Sequence, residues 1–360
     1  MRYLYYLGVF IPLAVGLDVA GASSALIFFT AAIGVIPTAA LMGEATENLA
    51  ARSGPGIGGL LNVTFGNFPE LIIAGFALNK GLHEVVKASI VGSIISNILL
   101  VLGVSVLVGG LKNGDQRFNQ QAVQAQAAML LLALAALVLP AVFQLADGGS
   151  LPLVSQARVD FGGDVEHLTI GVSVVLLVSY VFGLFFSLKT HRDLFNPHAE
   201  DEETDAAVWS TQRSVVLLAV AGVLVGVMSE VLVGSIEDAS RDVGLSEFFI
   251  GVVVVAIVGN AAEHWVAVLV AFKDKMDLAL NIGIGSSAQV ALFVAPVLAL
   301  LSFAIGPHPM ALVFNGYELA ALLFSVLIAN YVTIEGRSNW FEGIQLLAVY
   351  AVLVLVFIFA

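Results

Sequence analysis

Glu70 and Glu263 each stand inside an apolar run long enough to cross a membrane, in the stretches GNFPELIIA and GNAAEHWVA. A carboxylate at that depth costs about 2.5–3.5 kcal/mol on insertion scales. Two acids in matching contexts therefore point to chemistry that needs the charge, and they read as the two halves of one ion site. Asn67 and Asn260 stand three residues before each acid, on the same helix face, and each amide offers a further oxygen. Gly66 and Gly259 open the two motifs. Gly66 and Pro69 predict a loosened helix beside Glu70 with freed carbonyl oxygens, which is tolerated at this depth only where protein or water surrounds it. The second copy has no proline, so only Gly259 can loosen it.

A second polar cluster follows each acid: Gly92-Ser93-Ile94-Ile95-Ser96-Asn97 after the first, and Gly285-Ser286-Ser287-Ala288-Gln289 after the second. Small hydroxyls in membrane helices often serve only close packing, and Ser93 and Ser286 alone fit either role. Asn97 and Gln289 are harder to explain as packing. The helix that carries them returns through the membrane, so these groups can face the acids.

Carboxylates with amide, hydroxyl and carbonyl oxygens make a hard environment that suits Ca²⁺, with Mn²⁺ or Mg²⁺ as alternatives. The chain has no cysteine and 6 histidines, which argues against Zn²⁺ or Cu²⁺ and excludes thiol catalysis and disulfides. Charge counting suggests a cycle. One Ca²⁺ neutralises two carboxylates, and so do two protons, whereas the empty charged pair is costly to move through a low-dielectric barrier. Burial and mutual repulsion would make the acids titrate as one coupled pair. A site that reorients only when neutral exchanges Ca²⁺ for H⁺. Ca²⁺ is then a transported substrate, and no cofactor is expected.

His264 follows Glu263 directly and titrates in the right range for a proton relay. Successive helix residues point roughly 100° apart, so it reads equally as a packed or interfacial histidine. Glu44 and Glu47 end one apolar stretch, and Glu230 and Glu237 lie on another. Glu44, Glu230 and Glu237 read either as ion entrances or as solvated helix-end acids.

These residues need a membrane scaffold to position them. The chain has 360 residues, of which 59% are hydrophobic and 11% charged, against about 25% charged in soluble domains. A span needs about 20 apolar residues. Eleven candidates occur, at 3–20, 24–50, 57–79, 84–110, 122–144, 167–188, 213–236, 247–272, 277–304, 309–331 and 339–359. The first reads as a transmembrane helix, since no convincing signal-cleavage site follows it. The net charge of −13 sits largely in loops and in the run His198–Asp205, which reads as a solvated linker or a weak Ca²⁺ sensor. It lacks the glycine and spacing of an EF-hand loop.

Sliding the chain by 193 residues superposes Glu44 on Glu237, Gly58 on Gly251, Gly66 on Gly259, Asn67 on Asn260, Glu70 on Glu263, Gly92 on Gly285 and Ser93 on Ser286. Five spans separate the two acids, an odd number, so the copies run in opposite directions. The expected fold is an all-α polytopic membrane protein with an inverted five-plus-five repeat and an extra N-terminal helix. The divisions are an extra helix over 1–20, a first repeat over 24–188, an acidic linker over 189–212 and a second repeat over 213–360. With the N-terminus inside, ten Lys and Arg face the cytoplasm, against four outside at Lys80, Lys87, Arg158 and Arg241. That bias predicts a cytoplasmic N-terminus and linker in a cell membrane.

The signatures GNFPELIIA with GSIISNILLVLG, and GNAAEHWVAV with GSSAQVALFVAP, resemble the two repeats of the calcium/proton exchanger (CAX) family, over essentially the whole chain. The resemblance implies eleven spans with the first outside the repeats, alternating access by sliding of a gating bundle, and Glu70 and Glu263 as the cation-binding acids. Asn67, Asn260, Ser96, Asn97, Ser286 and Gln289 match its surrounding polar positions. The absence of a long N-terminal extension implies no autoinhibition of the plant type, and the short chain implies a prokaryotic plasma membrane. Expected partners are Ca²⁺, H⁺ and the lipid bilayer, with no nucleic acid, and a homo-oligomer is compatible with the sequence. The alternatives are a Na⁺-coupled or Mn²⁺-preferring exchanger of the same superfamily and, in another class, a cation channel. Channels tend to be symmetric rings around a pore, which an inverted repeat fits poorly. An intramembrane enzyme is disfavoured, since there is no HExxH motif and no cysteine nucleophile.

Overall fold

The computed structural model describes residues 4–154, 156, 159, 161–191 and 209–360. The acidic run 198–205 lies outside the described residues. Among the described residues, eight helices are long and apolar enough to cross a membrane, and a bent pair, Glu247–Gly259 with Ala261–Phe272, makes a ninth span if counted as one. Two shorter apolar helices, Leu4–Val19 and Gly316–Val332, fall on the first and tenth expected spans. The tenth begins later than expected because Gly306, Pro307 and Pro309 keep the chain out of helix until Asn315 caps it. The seventh runs further, as Thr211–Val243, and carries Glu237 and Asp238 inside the helix.

The chain divides into two compact units, and this division differs from that of the sequence repeats. The first comprises Met1–Phe76, Tyr180–Val243 and Val258–Ala262. Its frame is the Ser24–Arg52 helix packed along Thr211–Val243, two segments that largely superpose under the 193-residue shift. Met42, Ala221 and Val225 form a buried cluster there, covered by Leu41, Phe68, Ile72 and Leu218. Small residues let the two backbones approach: a Cβ on Gly34 would lie 2.8 Å from Met228 Sδ. The buried hydroxyls Thr30, Thr38, Thr46, Ser229 and Ser235 all donate to carbonyls three or four residues back on their own helices. This satisfies them without using another chain segment.

The second unit comprises Ala77–Ser179, Gly244–Ile257 and Glu263–Ala360. The His83–Ile95 helix runs through a π-helical stretch, Ser96–Val101, into Leu102–Asn113. It packs against a second π-helical stretch, Ile250–Val255. The segment beginning at Met276 contains two more, Asn281–Gly285 and Val290–Val294. Under the 193-residue shift, Ser96–Val101 falls one residue from alignment with Val290–Val294. Both copies of the second polar cluster therefore lead into a π-turn, a distortion that concentrates at functional positions. A two-residue antiparallel pairing, Gln116–Arg117 with Arg337–Ser338, ties two loops together.

One expectation about charge needs correction. Lys87 is not a loop residue: it lies within His83–Ile95 and is 1% exposed. A lysine whose ammonium finds partners inside can be buried, so it drops out of the loop count. The bias toward the N-terminal side is then stronger.

Candidate functional site

Both acids occupy the first turn of a helix that starts in mid-span. Glu70 is the third residue of Phe68–Asn79, and Glu263 is the third of Ala261–Phe272. In each case the chain leaves helix at the asparagine, between Gly66 and Phe68 and between Gly259 and Ala261. Asn67 is 2% exposed and Asn260 is 1% exposed. The N-terminal end of a helix carries unsatisfied N–H groups and the positive end of its dipole, so a carboxylate there is favoured.

The sequence offers two loosening residues in the first copy, Gly66 and Pro69, and only Gly259 in the second. The second pair is bent by 59°, whereas Leu60–Asn79 passes as one span. Pro69 is the second residue of its helix, where its missing N–H has no intrahelical partner to lose. It therefore starts the helix rather than kinking it. The signal that marks both breaks is Asn-x-x-Glu, the spacing of a capping box. The same spacing recurs at Asn315–Glu318 and Asn339–Glu342, where the reciprocal bonds are present at ordinary helix starts.

In the first unit, Gly259 is buried against the Glu70 side chain: a Cβ there would lie 3.6 Å from Glu70 Cγ. The smallest side chain of the second motif thus borders the acid of the first. Tyr5 donates a hydrogen bond from its hydroxyl to Glu44 Oε2. Glu237, its counterpart in the repeat, is instead solvated and pairs with Arg241 at 2.8 Å. Glu230 is also exposed. The two acids that match in sequence thus differ in surroundings.

In the second unit, Ser286 Oγ donates to Glu263 Oε2 at 2.9 Å. Many buried hydroxyls of this chain return to their own helix, whereas this one is spent on a carboxylate 23 residues away. His264 Nε2 lies 3.0 Å from Asn97 Oδ1. His264 therefore turns toward the polar cluster of His83–Ile95 and its π-turn, and not toward lipid. Asn97 is 1% exposed, and its Nδ2 has no hydrogen-bond partner among the described residues. Asn97 is expected to offer its oxygen to a cation, and in this arrangement that oxygen faces His264 Nε2. Ser96 is fully buried and donates to Ser93 O at 3.2 Å, within its own helix. Ser93 is 3% exposed and Gln289 is partly buried. Ser287, quoted in the motif but not singled out, joins the two copies: its hydroxyl reaches Ile94 O at 3.2 Å and Gly283 O at 2.7 Å.

The Ser286–Glu263 bond gives a direct expectation. Hydrogen bonds to charged groups contribute about 1.5–3 kcal/mol. Ser286→Ala should raise the Ca²⁺ concentration for half-maximal exchange by about tenfold, with Ser286→Thr near wild type. Radiolabelled Ca²⁺ uptake in vesicles at fixed pH measures this. An unchanged concentration dependence would assign Ser286 to packing.

A model of the sodium/calcium exchanger protein family matches residues 23–189 and 213–359. A Ca²⁺/H⁺ antiporter of Synechocystis is 43% identical, over 98% of this chain and 95% of its own length. The Ca²⁺/H⁺ antiporter ChaA of Bacillus subtilis is also 43% identical, over 93% of this chain and 92% of its own. Among solved structures, native YfkE superposes with a TM-score of 0.83 at 38% identity, covering 99% of this chain and 100% of its own. The H⁺/Ca²⁺ exchanger CAX, at 17% identity and a TM-score of 0.70, covers 99% of this chain and 92% of its own, and shares the fold. The chain belongs to the sodium/calcium exchanger protein family, in its calcium/proton exchanger (CAX) branch.

Proposed function

We propose that this chain is a multi-pass membrane antiporter that exchanges Ca²⁺ for H⁺ by alternating access, with Glu70 and Glu263 taking Ca²⁺ or protons in turn. The observation that carries the reading is the paired construction of the acids. Each stands in the first turn of a helix that begins at a buried asparagine in mid-span. Half-helices of this kind bring both unsatisfied backbone groups and oriented dipoles to membrane depth, as transporter sites do. The names of relatives that match nearly end to end favour protons over Na⁺ as the counter-ion.

The chemistry follows from charge. A Ca²⁺ ion needs several oxygen ligands. The two carboxylates supply the charge, and Asn67, Asn260, Gly66, Gly259, Ser93, Ser96, Asn97, Ser286 and Gln289 are the candidates for neutral oxygens and for holding the acids. When protons replace the metal, the pair stays neutral and can cross a low-dielectric barrier, which the doubly charged pair does only at high cost. His264, held by Asn97, is placed to pass protons to Glu263, its neighbour in sequence. Glu44, Glu230 and Glu237 raise the local cation concentration at the mouths. The N-terminus is cytoplasmic, on the Lys and Arg bias, and the membrane is the cell membrane.

Purified protein in liposomes tests the proposal. An imposed pH gradient should drive radiolabelled Ca²⁺ uptake, and collapse of that gradient should abolish it. Uptake that follows a Na⁺ gradient and ignores pH would replace the proton with Na⁺. Unitary currents would make the protein a channel.

A further inference from the structure

Three charged side chains that belong to neither acid-bearing motif lie buried in the second unit. Glu84 and Lys87 stand in the first two turns of His83–Ile95, 4% and 1% exposed. Glu318 stands in the first turn of Gly316–Val332, which packs against that helix, and is fully buried. Lys87 Nζ pairs with Glu84 Oε1 at 2.6 Å and donates to Val313 O at 2.6 Å, just before the Asn315 cap. Glu318 Oε2 accepts the Asn315 backbone N–H at 2.8 Å. Its Oε1 is buried with no hydrogen-bond partner among the described residues. Both Lys87 and Glu84 act on it electrostatically.

Among the described residues the charges do not balance. One ammonium faces two carboxylates, and a buried uncompensated charge neutralises itself by taking or releasing a proton. Lys87 is already spent on Glu84 and Val313. Glu318 Oε1 and Glu84 Oε2 are both buried without a hydrogen-bond partner among the described residues, and because the ammonium pairs with Glu84, the missing proton falls to Glu318.

Among the described residues, Lys87 is the cation that acts on both Glu84 and Glu318. His83 shares the first turn with Glu84 and is 2% exposed. Asp164, Glu166 and His167 on Gly163–Phe185, Glu247, His308 and Tyr317 are exposed or only partly buried. Trp340–Phe359 brings Tyr350 in mid-helix and Glu342 at the end away from Glu318. Gln120–Ala146 and the π-turns contain no titratable side chain.

The repeat-related corner lacks the feature among the described residues. The 193-residue shift carries Glu84 onto Asp277 and Lys87 onto Leu280. There Asp277 Oδ1 accepts the backbone N–H of Asn119, the cap of Gln120–Ala146, at 2.6 Å. The residue three beyond that cap is Ala122, where the first corner has Glu318 beyond Asn315. One corner of the inverted repeat closes with a simple cap, and the other with a charged triad.

We propose that Glu84, Lys87 and Glu318 form a second proton-binding site, made of residues other than the exchange acids and built at one of two repeat-related corners only, with its proton on Glu318. It gives the exchanger a proton-dependent element at one corner and none at the repeat-related corner. This holds whether or not Glu70 and Glu263 carry the cation.

Infrared difference spectroscopy on the purified, Ca²⁺-saturated protein tests it by counting protonated carboxyls. Relative to wild type, Glu318→Gln, which keeps a capping side chain, should lose one protonated-carboxyl band. Glu84→Gln should lose the same band, because Lys87 is then left to Glu318 alone, and its capping box is untouched if Glu318→Gln folds poorly. Lys87→Met should gain a band, since both acids must then be neutral. His83→Asn should change nothing. A band that survives both glutamine variants, a Lys87→Met spectrum without gain, or loss of the band in His83→Asn would overturn the proposal.

Discussion

Glu263→Gln is expected to abolish Ca²⁺/H⁺ exchange in proteoliposomes while the protein still folds, and Glu70→Gln is expected to do the same. Glutamine keeps the volume of the side chain and an oxygen for the Ser286 hydroxyl, which lies 2.9 Å from the carboxylate in the native chain. It removes only the charge. One remaining carboxylate leaves Ca²⁺ with a net positive charge, and the bound state then carries the Born cost that the neutral pair avoids. A lone charge at membrane depth costs about 2.5–3.5 kcal/mol or more, so deleting one should leave thermal stability unchanged or slightly raised. Uptake driven by pH and a melting curve on the same preparation check both halves of the expectation. Wild-type exchange in either variant would remove that acid from the site.

The second large effect is expected at Gly92, for steric reasons. A Cβ there would lie 2.1 Å from Val252 O and 2.7 Å from Ala256 Cβ. Backbone cannot rotate out of the way as a side chain can, so Gly92→Ala must push His83–Ile95 away from Ile250–Val255. Overpacking typically costs about 1–3 kcal/mol, occasionally more. The displaced helix carries Ser93 and runs directly into the π-turn that holds Ser96 and Asn97, so exchange should fall further than stability does. Gly75 makes the control, with nothing within 4 Å of its would-be Cβ: Gly75→Ala should be silent. Gly259→Ala should fold, since its nearest contact is an ordinary 3.6 Å, but that contact is Glu70 Cγ. A reduced exchange rate with normal melting is the expected signature. Comparable melting of Gly92→Ala and Gly75→Ala would refute the packing argument.

Much of this architecture is legible in the amino-acid order because membrane spans obey one rule, apolar length, and because inversion repeats the polar residues at a fixed offset. The breaks at Asn67 and Asn260 are legible too, but through helix-start chemistry rather than through Gly and Pro as helix breakers. Asn-x-x-Glu announces a helix beginning, and Pro69 in second place agrees with it. Other features escape sequence reasoning for a physical reason. Lys87 looks like a loop charge because Glu84, three residues away, reads as an ordinary surface partner, and nothing local shows that the carbonyl of Val313, 226 residues away, will receive it too. Glu318 reads as a cap, which it is, and its burial beside the lysine depends on tertiary packing. The contrast between Glu44, hydrogen-bonded to Tyr5, and Glu237, paired with Arg241, is likewise set by neighbours that the repeat does not copy.

Proton release on Ca²⁺ binding, followed with a pH-sensitive dye in weakly buffered detergent solution, tests the central claim most directly. Wild-type protein should release protons as Ca²⁺ is added, in proportion to the metal bound, and the Glu70→Gln/Glu263→Gln double variant should bind no Ca²⁺ and release none. Ca²⁺ bound by the wild type without proton release, or release that persists in the double variant, would contradict the account.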